Sequence, residues 1–358
     1  MSLTYRSILI LYCIQKLNGE RTIYGTFHLL NGKKSSQTIG DANLFDLTFL
    51  FGILRPLERA CFEKEIKFLR ENALIKEMDP SSKKITLTSN GKLILTKELK
   101  KRPIPIHLDG WKYNERSQLL WRRLSLLIQV LSNLIDENKR YTPIQQDESI
   151  SDWVKAYLMR YGHNRFTLAD TLYKEVLQSL ERVSELEASI FVMRLTSSTR
   201  IGYTIEQISS FLDEDEVWCQ VLFIHTLHTI IQHVEKNMLH LPILASMIGS
   251  HHEDALLTTS TQKTYQLIIE GKTIEEIALV RNLKRNTIED HIVEVTHQQP
   301  NFTIEPFVSL EHQQLILAAY KELHTKQLRP LKEKLPDGIS YFEIRLVLAR
   351  FGGKHESY

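Results

Sequence analysis

The stretch Gly271–Ile292, GKTIEEIALVRNLKRNTIEDHI, decides how this chain is read. Thr273 and Glu276 have the spacing of a capping box, in which a hydroxyl accepts from the N–H three residues on and the longer side chain reaches back. Ile274, Ile277 and Leu283 supply core contacts, Gly271 suits the end of a preceding helix, and Asn286 with Glu289 reads as the cap of a following one. The pattern predicts a helix-turn-helix. Its third helix, the one that would enter a DNA groove, carries Glu289, Asp290 and Glu294, and carboxylates oppose the phosphates such a helix must approach. The expectation is a third helix that docks protein through Glu289, Asp290 and Glu294, with Lys284 and Arg285 at the turn left to touch the DNA backbone.

The motif has an echo. GYTIEQIS at Gly202–Ser209 matches GKTIEEIA at Gly271–Ala278, and Thr204 with Gln207 repeats the capping-box pair. There the third helix opens with Asp213, Glu214, Asp215 and Glu216, which suit a helix N-terminus through the macrodipole and repel nucleic acid. That copy reads as structural, or as a surface for a basic protein.

Farther out, two breaks divide the chain. Pro103 and Pro105 follow a basic run and cannot continue a helix, which places a boundary near residue 105. The polar run GSHHEDALLTTSTQ places another near residue 257. Three domains are expected: 1–105, 106–257 and 258–358. A chain of 358 residues accommodates this, since a domain takes roughly 100 to 200 residues.

The first section reads as a winged helix. Apolar residues recur with helical spacing from Leu57 to Leu69, and ALIKEM and KITLT then form two short strands around the turn Asp79–Ser82. TSNGKLILTKELKK closes the unit as a helix, and Ser35 or Ser36 opens an earlier one. The middle section is helical in pattern, with long amphipathic runs ERSQLLWRRLSLLIQVLSNLI and DTLYKEVLQSLERVSELEASIFVMRL on either side of a polar loop, YTPIQQDESISD. In the last, Ser309 caps one helix and Ser340 with Glu343 opens another. The fold class is mainly α: an N-terminal winged helix with a small β-hairpin, a helical middle and a C-terminal helix-turn-helix.

The net charge of +2 conceals an uneven distribution. Basic residues outnumber acidic ones 18 to 11 in residues 1–110, fall below them at 14 to 19 in 111–260, and equal them at 13 each in 261–358. A polyanion is therefore expected at the first section. Lys33 and Lys34 in the turn before Ser35, Arg59, Lys64, Lys67 and Arg70 on the helix, and Lys83 and Lys84 at the hairpin are the candidate phosphate contacts. Binding through them is expected to be weak and mainly to the backbone.

Other chemistries find no support. Gly25 and Gly32 are too far apart for a phosphate loop, and Lys34 stands where such a loop needs Ser or Thr. His225, His228, His233, His251 and His252 lie close in sequence, but a zinc or di-metal site needs converging ligands and a second shell, and the sequence displays neither. Cys13, Cys61 and Cys219 are scattered and odd in number, which excludes a disulfide framework and fits a reducing cytoplasm. The apolar run after Met1 is broken by Tyr12, Gln15 and Lys16 and reads as a buried helix, and no stretch has the length of a membrane span. No enzyme, cofactor, metal or membrane is expected.

TYQLIIEGKTIEEIALVRNLKRNTIEDHI together with LPDGISYFEIRLVLARF resembles the helicase-associated helix-turn-helix domain that closes some RecQ-type DNA helicases, over about the last hundred residues. GERTIYGTFHLLNGKKSSQTI and GYTIEQISSFL look like the rest of a family of Firmicute cytoplasmic proteins found as partners of a short RecQ-type helicase lacking such domains. The resemblance implies a non-catalytic accessory with a RecQ-type DNA helicase as its partner, acting in DNA repair or recombination. The rival expectation is a sequence-specific winged-helix transcription regulator.

Overall fold

Capping residues set most of the helix boundaries. In the computed structural model, which describes residues 3–79, 83–161, 164–249 and 257–352, the chain begins with α1 (Tyr5–Leu17), α2 (Ile23–Leu30) and α3 (Ser36–Leu44). The Ser35 hydroxyl accepts from the Thr38 N–H and opens α3. A 3₁₀ turn (Thr48–Leu50) leads to α4 (Arg59–Glu71), and the strands β1 (Ile75–Asp79) and β2 (Lys84–Leu87) pair antiparallel before α5 (Ser89–Lys101). Ile75 faces Leu87 across the ladder and both are buried, whereas Lys76 points to solvent. The expected turn residues Pro80, Ser81 and Ser82 lie outside the described residues. The helix, hairpin, helix order matches the winged reading, although α3 and α4 are joined by the long segment 45–58 rather than a tight turn.

Next come α6 (Gly110–Ile135), α7 (Glu148–Arg160), α8 (Arg165–Leu180), α9 (Glu185–Met193), α10 (Ile205–Leu212), α11 (Glu216–Lys236) and α12 (Pro242–Met247). Two expectations are corrected here. The polar loop after α6 turns helical from Glu148, with Asp147 accepting from the Ser149 N–H as its cap. The run from Asp170 to Leu195 divides into α8 and α9, because Ser184 and Glu187 form a capping box that starts a new helix.

The chain ends with α13 (Thr259–Ile269), α14 (Ile274–Arg281), α15 (Arg285–Gln298), α16 (Leu310–Leu323), α17 (Leu328–Lys334) and α18 (Tyr341–Phe351). Ser309 caps α16, and Ser340 with Glu343 forms a capping box at α18. The fold is thus mainly helical, with one two-stranded sheet among the described residues and a C-terminal helix-turn-helix. Among these residues no helix is long and apolar enough to cross a membrane.

The chain divides into two compact units: residues 1–8 with 97–250, and 9–96 with 251–358. Residues 9–96 of the first section thus fold with the last section into the same unit. Within that unit α3 packs on α15 and α18, the Arg21 guanidinium reaches Asp41 at 2.6 Å, and Glu20 accepts the Lys326 N–H at 2.7 Å. In the first unit α11 is the hub, with Val221, Ile230, Ile231 and Val234 fully enclosed by its neighbours.

Both helix-turn-helix copies are present and share their backbone. Both capping boxes form, at Thr204–Gln207 and Thr273–Glu276, and Ile208 and Ile277 are fully buried at matching positions. The second helix of each ends on a left-handed residue, Asp213 at φ 54° and Asn282 at φ 51°.

Candidate nucleic-acid interface

The third helix of the second copy, α15, does not project from the fold. It packs against α13 and α14 of its own motif, against α3 and against α18. From His291 to Thr296 every side chain is buried, and only Lys284, Arg285 and Asn286 at the helix start are exposed. The second half of the helix therefore has no face free for a groove, and the exposed positions are confined to its start.

The three carboxylates expected as a docking face point elsewhere. Glu294 is buried and accepts the Thr258 N–H at 2.6 Å and the Thr261 hydroxyl at 2.8 Å, so it ties α15 to the start of α13. Burial raises its pKa, and these hydrogen bonds and the Lys34 charge pull it back in part. Asp290 accepts from Arg345 of α18 at 2.5 Å. Glu289 accepts from Arg285 one turn earlier at 2.9 Å. Glu289 therefore does not close a capping box with Asn286: α15 begins at Arg285, Lys284 is its N-cap, and no side chain caps it. The structure thus encloses Glu294 within the unit and places Asp290 and Glu289 in partly exposed ion pairs with Arg345 and Arg285, so Glu294 is not available to a docking partner.

The basic candidates separate into two groups. Several are engaged: Lys67 with Glu71 at 3.8 Å, Arg70 with Glu77 at 2.9 Å, Arg285 with Glu275 and Glu289, and Lys84, whose Nζ donates to Gln327 at 3.0 Å. Such exposed pairs contribute little to stability, yet each reduces the charge offered to an anion. Lys34 is exposed on the side that acts on Glu294. Lys64 and Lys284 stand exposed with no ion pair among the described residues.

The second group converges. The Arg59 guanidinium lies 4.8 Å from the centre of the Tyr24 ring and donates to the Tyr24 hydroxyl at 2.9 Å, while Lys83, just before the return strand, lies 5.7 Å from the same ring. The Lys33 N–H donates to the His28 carbonyl at 2.9 Å, and desolvation, Lys33 and Arg59 together hold the His28 pKa below its ordinary value. Residues from α2, the following turn, α4 and the hairpin thus form one basic surface around Tyr24 and His28. Glu63 offsets part of it by accepting from Arg59 at 2.7 Å and from Tyr24 at 3.3 Å. With two cations already over it, the Tyr24 ring anchors the charges rather than stacking a base, so the surface suits phosphate contact without base reading.

Sequence reasoning missed Tyr24, since nothing in IYGTFHLL marks it as the meeting point of a helix and a hairpin residue far along the chain. It also missed Lys76, exposed on β1. Of the histidines, His228 is fully buried and accepts the Asp109 N–H at 3.2 Å, with burial and then His225 lowering its pKa to about 3. His225 pairs with Glu187, and His233 meets the Ser179 hydroxyl at 3.0 Å. His251 and His252 lie outside the described residues.

Residues 260–348 match the family described as a helix-turn-helix domain, a class that suggests contact with DNA. No solved structure matches the chain. Protein YpbB of Bacillus subtilis (strain 168) is 37% identical over 350 residues, which cover 98% of each chain. A likeness of that extent, running through both units, places this chain in the same family as YpbB.

Proposed function

We propose that this protein is a non-catalytic, cytoplasmic accessory of a RecQ-type DNA helicase that holds nucleic acid by its phosphates, in DNA repair or recombination. The observation that carries the DNA contact is the meeting of Arg59 and Lys83 on the Tyr24 ring, with Lys33 and Arg59 both acting on His28 one turn along the same helix. Three cations from separate elements on one face supply phosphate contacts, while base-reading side chains on a protruding helix are lacking among the described residues. The enclosure of α15 argues against an operator-reading regulator that uses this helix. Support for the helicase partner comes from the likeness of the last hundred residues to the domain that closes some RecQ-type helicases.

The partner is tested by immobilising the full chain and measuring helicase capture from native extract, followed by strand separation with purified components. Specific enrichment of a RecQ-type helicase, with no ATP hydrolysis by the chain alone, is the expected result. Failure to enrich a helicase over an unrelated basic protein of similar size would remove it from the assignment.

A further inference from the structure

A cleft of about 640 Å³ in the second unit lies where the ends of α1 and α16, the residues just after α3, β2 and the first turn of α5 meet. Four lysines line it: Lys16, Lys92, Lys321 and Lys326. Two come from the first section of the chain and two from the last, so no basic run announced them. Lys326 is buried and anchored, its Nζ donating to the Leu44 carbonyl at 2.8 Å and lying 5.1 Å from the centre of the Phe45 ring. It therefore fixes a positive charge in the wall. Lys16, Lys92 and Lys321 are exposed and make no ion pair among the described residues. Two carboxylates share the lining. Glu20 is occupied by the Lys326 N–H at 2.7 Å, which leaves Asp46 as the second negative group.

Three helix ends shape the cleft. Asn18, Asp46 and His324 all line it and all adopt positive φ, at 41°, 52° and 46°. Each is a residue type that tolerates this region, and each turns the chain sharply just after a helix.

We infer that this cleft binds a phosphate-bearing anion. Four lysines against two carboxylates leave the lining with an excess of positive charge, and a phosphate or a run of phosphates places more than one negative charge in a small volume. Lysine meets phosphate as a point charge, without the planar geometry that a lone carboxylate shares with arginine. Both a free oligophosphate and the backbone of a single strand carry this chemistry. The site is separate from the Tyr24 surface and stands or falls independently of the helicase reading.

The test uses full-length protein, inorganic tripolyphosphate measured by calorimetry, and a labelled single-stranded oligonucleotide measured by anisotropy. The variant K16A/K92A/K321A removes only exposed side chains and keeps Lys326, so circular dichroism is expected to match the parent. Tripolyphosphate affinity is expected to fall by about tenfold or more in this variant, and to return with arginine at the same positions. K33E/K83E is expected to leave tripolyphosphate binding unchanged. A loss seen with tripolyphosphate assigns the cleft to a free oligophosphate; a loss confined to the strand assigns it to a nucleic-acid backbone. Equal binding of both probes by parent and triple variant, or binding of neither, would overturn the inference.

Discussion

The two helix-turn-helix copies, α9 to α11 and α13 to α15, use one backbone with opposite polar chemistry. They align without a gap from Gly202 to His228 and from Gly271 to His297, which places His225 of α11 at the position of Glu294 of α15. In the first copy the third helix presents a histidine to the carboxylate of Glu187 at the start of the first helix. In the second it presents a carboxylate to the Thr258 N–H and the Thr261 hydroxyl at the start of the first helix. The latch keeps its place and reverses its sense. The openings of the third helices differ likewise: Asp215 caps α11 by accepting the Trp218 N–H at 2.8 Å and also accepts the Tyr5 N–H at 3.1 Å, whereas Lys284 leaves α15 without a side-chain cap. Even the shared glycine serves two ends. Gly271 has φ +81°, while a Cβ on Gly202 would sit 2.2 Å from the Arg194 carbonyl oxygen. In both copies a buried polar residue of the third helix holds the start of the first helix, so the motif serves as a packing unit.

The largest expected effect comes from breaking the second latch. Glu294→Lys places an ammonium against the N-terminus of α13, where backbone donors need an acceptor, and is expected to cost about 3 to 5 kcal/mol in urea denaturation. At the matching position His225→Gln leaves Glu187 with its Ser184 donors and is expected to cost about 1 kcal/mol. Equal costs for the two would dissolve the contrast between the latches.

Acid sharpens what the copies have in common. His228 and His297 occupy matching positions, and desolvation is the main cause lowering their pKa values to about 3 and about 4. An unfolded histidine takes its proton near pH 6.5, before the folded one does, so the stabilisation is complete above that value and is lost as pH falls toward 4 and then 3. Urea midpoints are expected to decline as pH drops from 6.5, and less steeply in His228→Gln. A midpoint flat over that range would mean that these rings are not held neutral by the fold.

The smallest effect concerns the shared turn. Asp213→Ala and Asn282→Ala put an ordinary side chain into the left-handed region, and each is expected to lower stability by about 1 kcal/mol, read from the thermal transition. A loss in one copy alone would show that the two turns are not equivalent.

What was legible in the sequence follows the range of the interactions. Thr204 with Gln207, Thr273 with Glu276 and Ser340 with Glu343 act over three residues, so their capping boxes were read correctly. The fate of Glu294 and Asp290 was not readable, because Thr258, Thr261 and Arg345 reach them only after the chain has folded back. Nor did any local pattern indicate that α3 would cover α15, or that residues 9–96 and 251–358 would fold into one unit. The basic surface was half readable: Arg59, Lys33 and Lys83 were named from charge alone, but Tyr24, which gathers two of them, came only with the tertiary structure.

The claim at the centre is that DNA meets the surface around Tyr24 and not the third helix of the motif. Anisotropy with labelled duplexes of several sequences, over a range of salt, compares K33E/K83E with K284E/R285E in full-length protein. The expected result is that K33E/K83E weakens binding to every sequence by about tenfold or more and lowers the salt slope by about two, while K284E/R285E stays within about threefold of the parent. The reverse ranking, with the α15 variant losing most of the binding and the Tyr24 variant unchanged, would contradict the account.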